Sequence, residues 1–342
     1  MSTPLTLTRV QILAHRRRVG ALDERLPPGA DSLRRAAWTG LSDSMPRAAV
    51  LSVHARVEGT APLAWEDPAF VQTWGPRYSA YVIAAADRAI FTLGRLPDDP
   101  AGLRRAVDMA DRLEAFLDGR RMPFGEAGRG IGITPNALRY AAPTGRVLIR
   151  WDGARQPTIW TVPPPELEPR DARRELLRRF LHMSGPGTAS AFGNWAGIKP
   201  KRSEAIVDDL AAELTAVRSP IGDAWILTAD EASFRESATT RSGPAFVRLL
   251  PSGDIHTLHQ GVERELLLPD DGRRALLWTP RVWPGAVLAG GDIVGTWRRA
   301  DRTFTIETWG KVRPDVRDAI EDEAASLPLP GTTGAVRMIW GD

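Results

Sequence analysis

A chain of 342 residues is long enough for about two to four compact units, and a hydrophobic content of 43% is sufficient for sizeable cores. The absence of cysteine excludes disulfides, cysteine-ligated zinc, iron–sulfur clusters and thiol catalysis. A formal net charge of +3 does not by itself indicate nucleic-acid binding, although it permits local basic patches. The sequence has no apolar run of ~18 residues and no secretion signal, so we expect a cytoplasmic protein without a membrane span.

The first predicted unit, residues 5–97, begins with helices and ends with strands. Thr8 is a favourable N-cap for a first helix that extends to Val19. Pro46 suits the first turn of the third helix, where its missing N–H costs nothing. The third helix is predicted to extend from Pro46 to Val57. The other predicted elements are a second helix at Ser32–Thr39 and strands at Tyr78–Ala84 and Ala89–Leu93.

The second predicted unit, residues 101–165, combines helices with a hairpin that resembles a wing. Gly125–Gly132 lacks the Gly-Lys-Ser/Thr ending of a phosphate-binding loop and is predicted to be a flexible connector. The predicted helices are Leu103–Leu117 and Thr134–Ala141, and the hairpin strands are Val147–Trp151 and Thr158–Val162.

The third predicted unit, residues 170–232, has the order helix, turn, helix, turn, helix and two strands, which is the outline of a winged helix. Thr188 is placed to cap the second helix, and Gly197 is placed to end it. A recognition helix presents its N-terminal residues to DNA, so the cations that begin the third helix are expected to contact phosphates. Leu214–Arg218 and Ala224–Leu227 are the strands of the predicted wing.

Residues 245–328 are predicted to form a β-rich domain closed by a helix, and residues 330–342 a tail. Gly290-Gly291 between two apolar runs predicts a tight hairpin. The predicted strands are Val247–Leu250, Glu265–Leu268, Gly285–Leu288, Asp292–Trp297 and Phe304–Trp309, and the closing helix is Pro314–Leu327. The predicted fold class is therefore α+β, with three tandem winged-helix motifs and a C-terminal β-rich domain.

Several short segments, by their order and spacing, resemble the bacterial winged-helix proteins that include the AlkZ-like DNA glycosylases. The segments are GLSDSMPRAA at 40–49 with LSVHAR at 51–56, FTLGRLP at 91–97, GPGT at 185–188 with WAG at 195–197, and GTWR at 295–298. The resemblance covers roughly residues 5–328 and implies tandem winged-helix motifs around a channel of DNA size. In the glycosylase members it implies excision of alkylated purines from double-stranded DNA without a metal or an organic cofactor. We infer no obligate protein partner.

The chain departs from this family at the segment that the resemblance makes catalytic. There the glycosylase members carry Gln, one intervening residue, and then Gln or Asp. Aligned on the flanking residues, the two motif positions are Ser42 and Ser44 in this chain. The intervening position, usually apolar in the family, is Asp43. Both polar groups of the motif are therefore replaced by shorter hydroxyls.

Hydrolysis of an N-glycosidic bond requires a water held near C1′ and stabilisation of a positively charged sugar. Asp43 is the only carboxylate in the segment and is the candidate to position this water, with Ser42 and Ser44 beside it. The alternative is that Asp43 or Ser44 caps the helix that begins near Pro46.

Eight basic residues are candidates to contact DNA phosphates, with ordinary surface charge as the alternative. One lies beside the catalytic segment, four in the second unit, and three at the start of the third helix of the third unit. They are Arg47, Arg139, Arg146, Arg150, Arg155, Lys199, Lys201 and Arg202.

His256 and His259 lie three residues apart, close to Asp254 and Glu263, and this spacing is compatible with a metal. A third convincing ligand is not evident, so we predict no metal site. The resemblance also places Asp254 in a loop that approaches DNA.

These observations predict a DNA-repair-related protein that binds duplex DNA and recognises or hydrolytically excises alkylated purines, as a monofunctional DNA glycosylase does. The alternative is a non-catalytic DNA-binding regulator or accessory paralogue that has lost the glycosylase motif. A structural or protein-interaction module is a third possibility, because winged helices also bind proteins.

Overall fold

The computed structural model describes residues 5–45, 47–153, 155–236, 246–329 and 335–341. Pro46, which was expected in the first turn of a helix, and parts of the expected tail lie outside the described residues. The helices are α1 (Arg9–Val19), α2 (Ala30–Ala36), α3 (Ala48–His54), α4 (Arg88–Leu93), α5 (Pro100–Leu117), α6 (Phe124–Gly130), α7 (Pro169–Ser184), α8 (Ala189–Ala196), α9 (Pro200–Asp209), α10 (Glu231–Arg235), α11 (Glu263–Leu267), α12 (Asp271–Leu277) and α13 (Pro314–Ser326).

Three sheets accompany these helices. The strands are β1 (Leu5–Thr6), β2 (Leu41–Ser42), β3 (Phe70–Trp74), β4 (Ala80–Ala84), β5 (Met122–Pro123), β6 (Val147–Arg150), β7 (Thr158–Thr161), β8 (Leu214–Ser219), β9 (Gly222–Leu227), β10 (Val247–Leu250), β11 (Gly285–Ala289), β12 (Asp292–Ala300), β13 (Thr303–Thr308) and β14 (Arg337–Trp340). Their orders are β1-β8-β9, β2-β4-β3-β6-β7-β5 and β10-β11-β12-β13-β14.

The first two predicted units share one sheet. The hairpin β6–β7, expected to be the wing of the second unit, continues the sheet of the first unit because β6 pairs with β3 at Gln72 and Ile149. The third unit has the predicted order of three helices and a hairpin, and its sheet is extended by the N-terminal strand β1, which pairs parallel to β8. The number of winged-helix motifs stays a prediction.

The predicted helix caps are confirmed. The Thr8 side chain accepts a hydrogen bond from the Gln11 backbone at the start of α1, and Gln11 completes a capping box. The Thr188 hydroxyl accepts from Ala191 N at 3.1 Å at the start of α8, and Gly197 ends this helix with a left-handed backbone at φ 72°. These local hydrogen bonds fix helix ends independently of tertiary packing.

Two predicted strands are helices. Ala89–Leu93 lies in α4, which packs against α7, and Glu265–Leu268 lies largely in α11. The prediction was wrong because an apolar run of this length has no periodicity that separates a buried strand from a buried helix. The segment predicted at Thr134–Ala141 as a helix is a 3-10 helix at Pro135–Thr144.

The glycine-rich segment Gly125–Gly132, expected to be a flexible connector, is mostly the helix α6. Its glycines allow close packing: a Cβ at Gly130 would lie 2.0 Å from the Phe116 ring, and one at Gly128 would lie 2.8 Å from Pro135 Cα. The glycines therefore reflect the approach of α5 and the following 3-10 helix, and not a mobile loop.

The expected tail is also partly ordered structure. Residues 337–340 form β14, which pairs parallel to β13 along the edge of the third sheet. Met338 and Trp340 pack against the core of this domain, and Trp340 Nε1 donates to Glu321 at 3.0 Å. The apolar run Met338-Ile339-Trp340 is too short to predict a strand from its own residues.

A buried ion pair joins the first unit to the C-terminal domain. Arg56, which follows α3, donates to both oxygens of Asp254 at 2.7 and 2.8 Å, and the Ser52 hydroxyl donates to the same carboxylate at 2.6 Å. Asp254 is 1% exposed, so it does not approach DNA as the resemblance implied.

Within the described residues, no helix combines the length and apolarity that crossing a bilayer requires.

Replacing Asp254 by Asn should lower the free energy of unfolding by about 3 kcal/mol or more, because the Arg56 charge then stays buried without its counter-ion. Denaturant-induced unfolding measures this difference. The control is Asp315→Asn, which removes an exposed partner of Arg313 and should leave stability unchanged. Equal effects of the two substitutions would contradict the structural role of Asp254.

Candidate functional site

The segment at Ser42–Ser44 alternates between inward and outward side chains. Leu41 and Asp43 are buried, whereas Ser42 is half-buried and Ser44 is exposed. This two-residue period follows from the pairing of β2 with β4. The hydroxyls of Ser42 and Ser44 lie 3.4 Å apart on the outer side, where the resemblance places the catalytic groups.

Asp43 points into the protein and has both carboxylate oxygens engaged. Its Oδ1 accepts from Ala49 N at 3.1 Å in the first turn of α3, and its Oδ2 accepts from Gln72 Nε2 at 2.8 Å. The Arg47 guanidinium lies 3.8 Å from Oδ2. The N-cap position of α3 is Arg47 and not Asp43 or Ser44, but Asp43 performs a capping role by accepting from an amide of the first turn.

Burial raises the pKa of Asp43 to about 6, although the Ala49 amide, the Arg47 guanidinium and the Gln72 amide each lower it. Desolvation of a 1% exposed carboxylate outweighs these favourable contacts. The residue is therefore partly protonated in weakly acidic solution. A raised pKa alone would suit a general base, but this carboxylate does not reach the outer surface where a substrate would bind.

Trp65 and Gln72 complete the surroundings of this segment, and neither was predicted from the sequence. Gln72 Oε1 accepts from Trp151 N at 2.7 Å, which attaches the β6–β7 turn to β3. The guanidinium groups of Arg47 and Arg150 lie 3.7 and 4.0 Å from the Trp65 ring centroid. The high tryptophan content indicated core packing, but no sequence pattern linked Trp65 or Gln72 to residues 42–44.

The loop after β10 also lies next to the Ser42–Ser44 segment. Gly253 has φ +77°, and a Cβ at this position would lie 3.3 Å from Ser42 Oγ. A glycine is favoured here by its left-handed backbone and by the close approach of the serine. Ser42 therefore lies beside this loop. Arg47, just after the segment, contacts the β6–β7 turn at the Trp151 carbonyl, 3.5 Å away.

Several of the candidate DNA-contacting cations are bound to carboxylates of the protein. Arg146 pairs with Asp111 and Glu114 on α5. Arg150 pairs with Glu66 at 2.5 Å. These pairs neutralise charge that the sequence analysis assigned to phosphate binding.

The cations that begin α9 contact the linker that precedes α5. Arg202 lies 3.3 Å from Asp98 and donates to the Leu96 carbonyl, and Lys199 lies 3.8 Å from Asp99. Burial lowers the pKa of Arg202 to about 10. The start of the predicted recognition helix is thus partly occupied by the chain itself.

Two candidate cations keep exposed charges. Arg155 in the β6–β7 turn and Lys201 in α9 are exposed, and no carboxylate of the described residues lies within ion-pair distance of either. Arg139 is half-buried, with its guanidinium 5.9 Å from the Trp74 ring centroid.

One of the buried histidines after β10 contacts a buried arginine. His259 Nε2 lies 3.5 Å from Arg16 Nη1, and Arg16 also pairs with Glu263 at 3.2 Å. Burial lowers the pKa of His256 to about 3.

Among the described residues, His15, His182 and Asp230 form a compact group of possible metal ligands. Both ring nitrogens of His15, however, already hydrogen-bond within the protein, at 2.8 and 2.9 Å.

The class of this protein is defined by its family. The model of the family described as DNA glycosylase AlkZ-like matches residues 36–328, and the chain belongs to this family. Family membership implies that the protein binds DNA.

One sequence match and one structural match, both from Streptomyces sahachiroi, make the relationship more particular. An interstrand DNA cross-link repair glycosylase is 26% identical over 164 residues, an alignment that covers 47% of this chain and 43% of that protein. The structure of the DNA glycosylase AlkZ aligns with a TM-score of 0.79 at 17% identity, covering 98% of this chain and 100% of that one. At this identity the structural likeness establishes a shared fold.

The raised pKa predicts a pH-dependent effect of Asp43→Asn. The neutral acid is favoured by folding, so its stabilising contribution is complete below pH ~4 and is lost as the pH rises through about 6. Relative to the Asn variant, the wild type should therefore lose about 1 kcal/mol of unfolding free energy between pH ~5 and ~7. Other titrating groups cancel in this difference, which denaturant unfolding at each pH measures. A constant difference across this range would show that Asp43 does not titrate as described.

Proposed function

We propose that this protein binds duplex DNA and recognises alkylated purines without hydrolysing the N-glycosidic bond. The observation that carries the proposal is the orientation of the 42–44 segment: its only carboxylate is buried and engaged, and two serine hydroxyls face outward. The chain then acts as a lesion-recognition protein in DNA repair.

The chemistry of the reaction supports this choice. A glycosylase must hold a water near C1′ and stabilise the positive charge that develops on the sugar. A serine hydroxyl is neutral and short, so Ser42 and Ser44 provide neither the charge of Asp nor the reach of Gln. The position and polarity of the catalytic groups decide the reaction rate. A displacement of about 1 Å already lowers this rate roughly a hundredfold.

Catalysis by Asp43 is the competing hypothesis. For Asp43 to contact a sugar, its carboxylate must leave the Ala49 amide and the Gln72 side chain. The α3 terminus would then lose its cap, at a cost of about 1 kcal/mol, and the Gln72 amide would lose a buried acceptor. The geometry of the described residues therefore favours a capping role.

The first experiment is a single-turnover assay on a labelled duplex that contains one N7-methylguanine. We expect abasic sites to form at the spontaneous rate, while the same duplex is bound at low salt. The double variant Ser42→Gln with Ser44→Gln restores the amide groups and should raise the excision rate above that of the wild type. Excision by the wild type that Asp43→Asn abolishes would overturn the proposal and identify Asp43 as catalytic.

A second experiment tests how the DNA is bound. Arg155→Ala and Lys201→Ala should each weaken binding to an unmodified duplex and make the salt dependence shallower by about one unit, because each exposed charge contacts one phosphate. Fluorescence anisotropy over a series of salt concentrations measures both effects. Arg146→Ala is the matched control, since Arg146 is paired with Asp111 and Glu114. A loss of affinity confined to the Arg146 variant would refute this assignment.

A further inference from the structure

A cavity of about 350 Å³ lies where the end of α1, the helix α2 and the end of α7 meet. This volume is at the lower end of the ~300–1,000 Å³ that is typical of small-ligand sites. None of its lining residues belongs to the 42–44 segment or to the candidate phosphate contacts. The lining residues are Val19, Asp31, Arg34, Arg35, Trp38, His182 and Met183.

A histidine in the wall of this cavity is oriented by a carboxylate. His182 Nδ1 lies 3.0 Å from both oxygens of Asp230, and the His182 side chain is 35% exposed. Because Asp230 engages Nδ1, Nε2 is the ring nitrogen available to a ligand, and no partner of Nε2 is found among the described residues. The cavity therefore contains one positioned polar group at its rim.

An aromatic ring with a fixed position forms another part of the wall. The Arg179 guanidinium lies 3.9 Å from the Trp38 ring centroid and is itself held by the buried Asp87 at 2.9 Å. Arg34 binds the same carboxylate at 2.7 Å. Trp38 is half-buried, so part of its indole ring is available inside the cavity.

The cavity also favours an anion. Arg35 is exposed, and within the described part of the chain no carboxylate pairs with its guanidinium. Among the residues that line the cavity, two are arginines and one, Asp31, is a carboxylate. The carboxylates behind the wall are already engaged: Asp87 by Arg34 and Arg179, Glu175 by Arg179, and Asp230 by His182. An arginine of this kind binds a phosphate with charge-assisted hydrogen bonds.

We propose that this cavity binds a nucleoside monophosphate or an equivalent 5′-phosphorylated terminal nucleotide. The base stacks on Trp38 beside the apolar Val19 and Met183, the phosphate binds Arg35, and His182 Nε2 forms a hydrogen bond with the polar edge of the ligand. Arg179 and Arg34 lie over the Trp38 ring at 3.9 and 6.0 Å, so the base would stack on the part of the indole that lines the cavity. This indole surface, the Arg35 guanidinium and the oriented imidazole together match a planar anion of this size. This site is separate from the DNA-lesion site and does not depend on its activity.

The test is calorimetric titration of the full chain with adenosine 5′-monophosphate. Saturable binding at one site is expected, with adenosine and inorganic phosphate each binding more weakly. Arg35→Ala and Trp38→Leu should each reduce the affinity by about tenfold, because each removes one of the two main contacts. Arg313→Ala, which changes an exposed arginine outside the cavity, is the matched control.

Arg35 is exposed, so its substitution keeps the test interpretable if the Trp38 variant does not fold. Displacement of the nucleotide by a short strand with a 5′-phosphate, and not by its 5′-hydroxyl form, identifies a terminal nucleotide as the source. Displacement by neither strand identifies the free nucleotide. No saturable binding of adenosine 5′-monophosphate, or binding unchanged in the Arg35 variant, would overturn the proposal.

Discussion

The carboxylate of Asp43 connects three parts of the chain that are distant in sequence. It accepts from the first turn of α3 and from Gln72 on β3, and Gln72 in turn holds the Trp151 backbone in the β6–β7 turn. The position of the outward-facing serines depends on this network, because β2 contributes only two residues to its sheet. Here a polar residue replaces the apolar residue of the family motif and stabilises the site from inside.

Arginine has a structural function throughout this molecule. Arg56 is buried against Asp254, Arg16 against Glu263, and Arg179 against Asp87. Each planar guanidinium satisfies several acceptors at once, which suits it to joining units that meet at polar surfaces. A small net charge is therefore compatible with DNA binding, because electrostatic attraction to phosphates depends on where exposed cations lie and not on the total number of arginines.

Local sequence signals predicted the elements that are stabilised locally. Thr8, Thr188 and the Gly290-Gly291 turn specify their structures through neighbouring residues, and the structure contains all of them. Ala89–Leu93 could not be assigned from its own residues, since its helical state follows from packing against α7. The motif placed the candidate site at residues 42–44, and this placement stays a prediction. The inward orientation of Asp43 follows from the pairing of β2 with β4, which no local sequence signal specifies. The contacts of Trp65 and Gln72 depend on tertiary structure alone.

The parallel strand β14 determines which strand forms the edge of the third sheet. It covers the outer edge of β13, whose other edge is already paired with β12. A chain shortened before residue 335 would present a six-residue strand, Thr303–Thr308, with unpaired backbone N–H and carbonyl groups. Such an edge is a template for strand addition. With β14 in place, the sheet ends instead in a four-residue strand that begins with Arg337. A short, charged edge strand is a poorer template, so β14 limits self-association and aggregation at this edge.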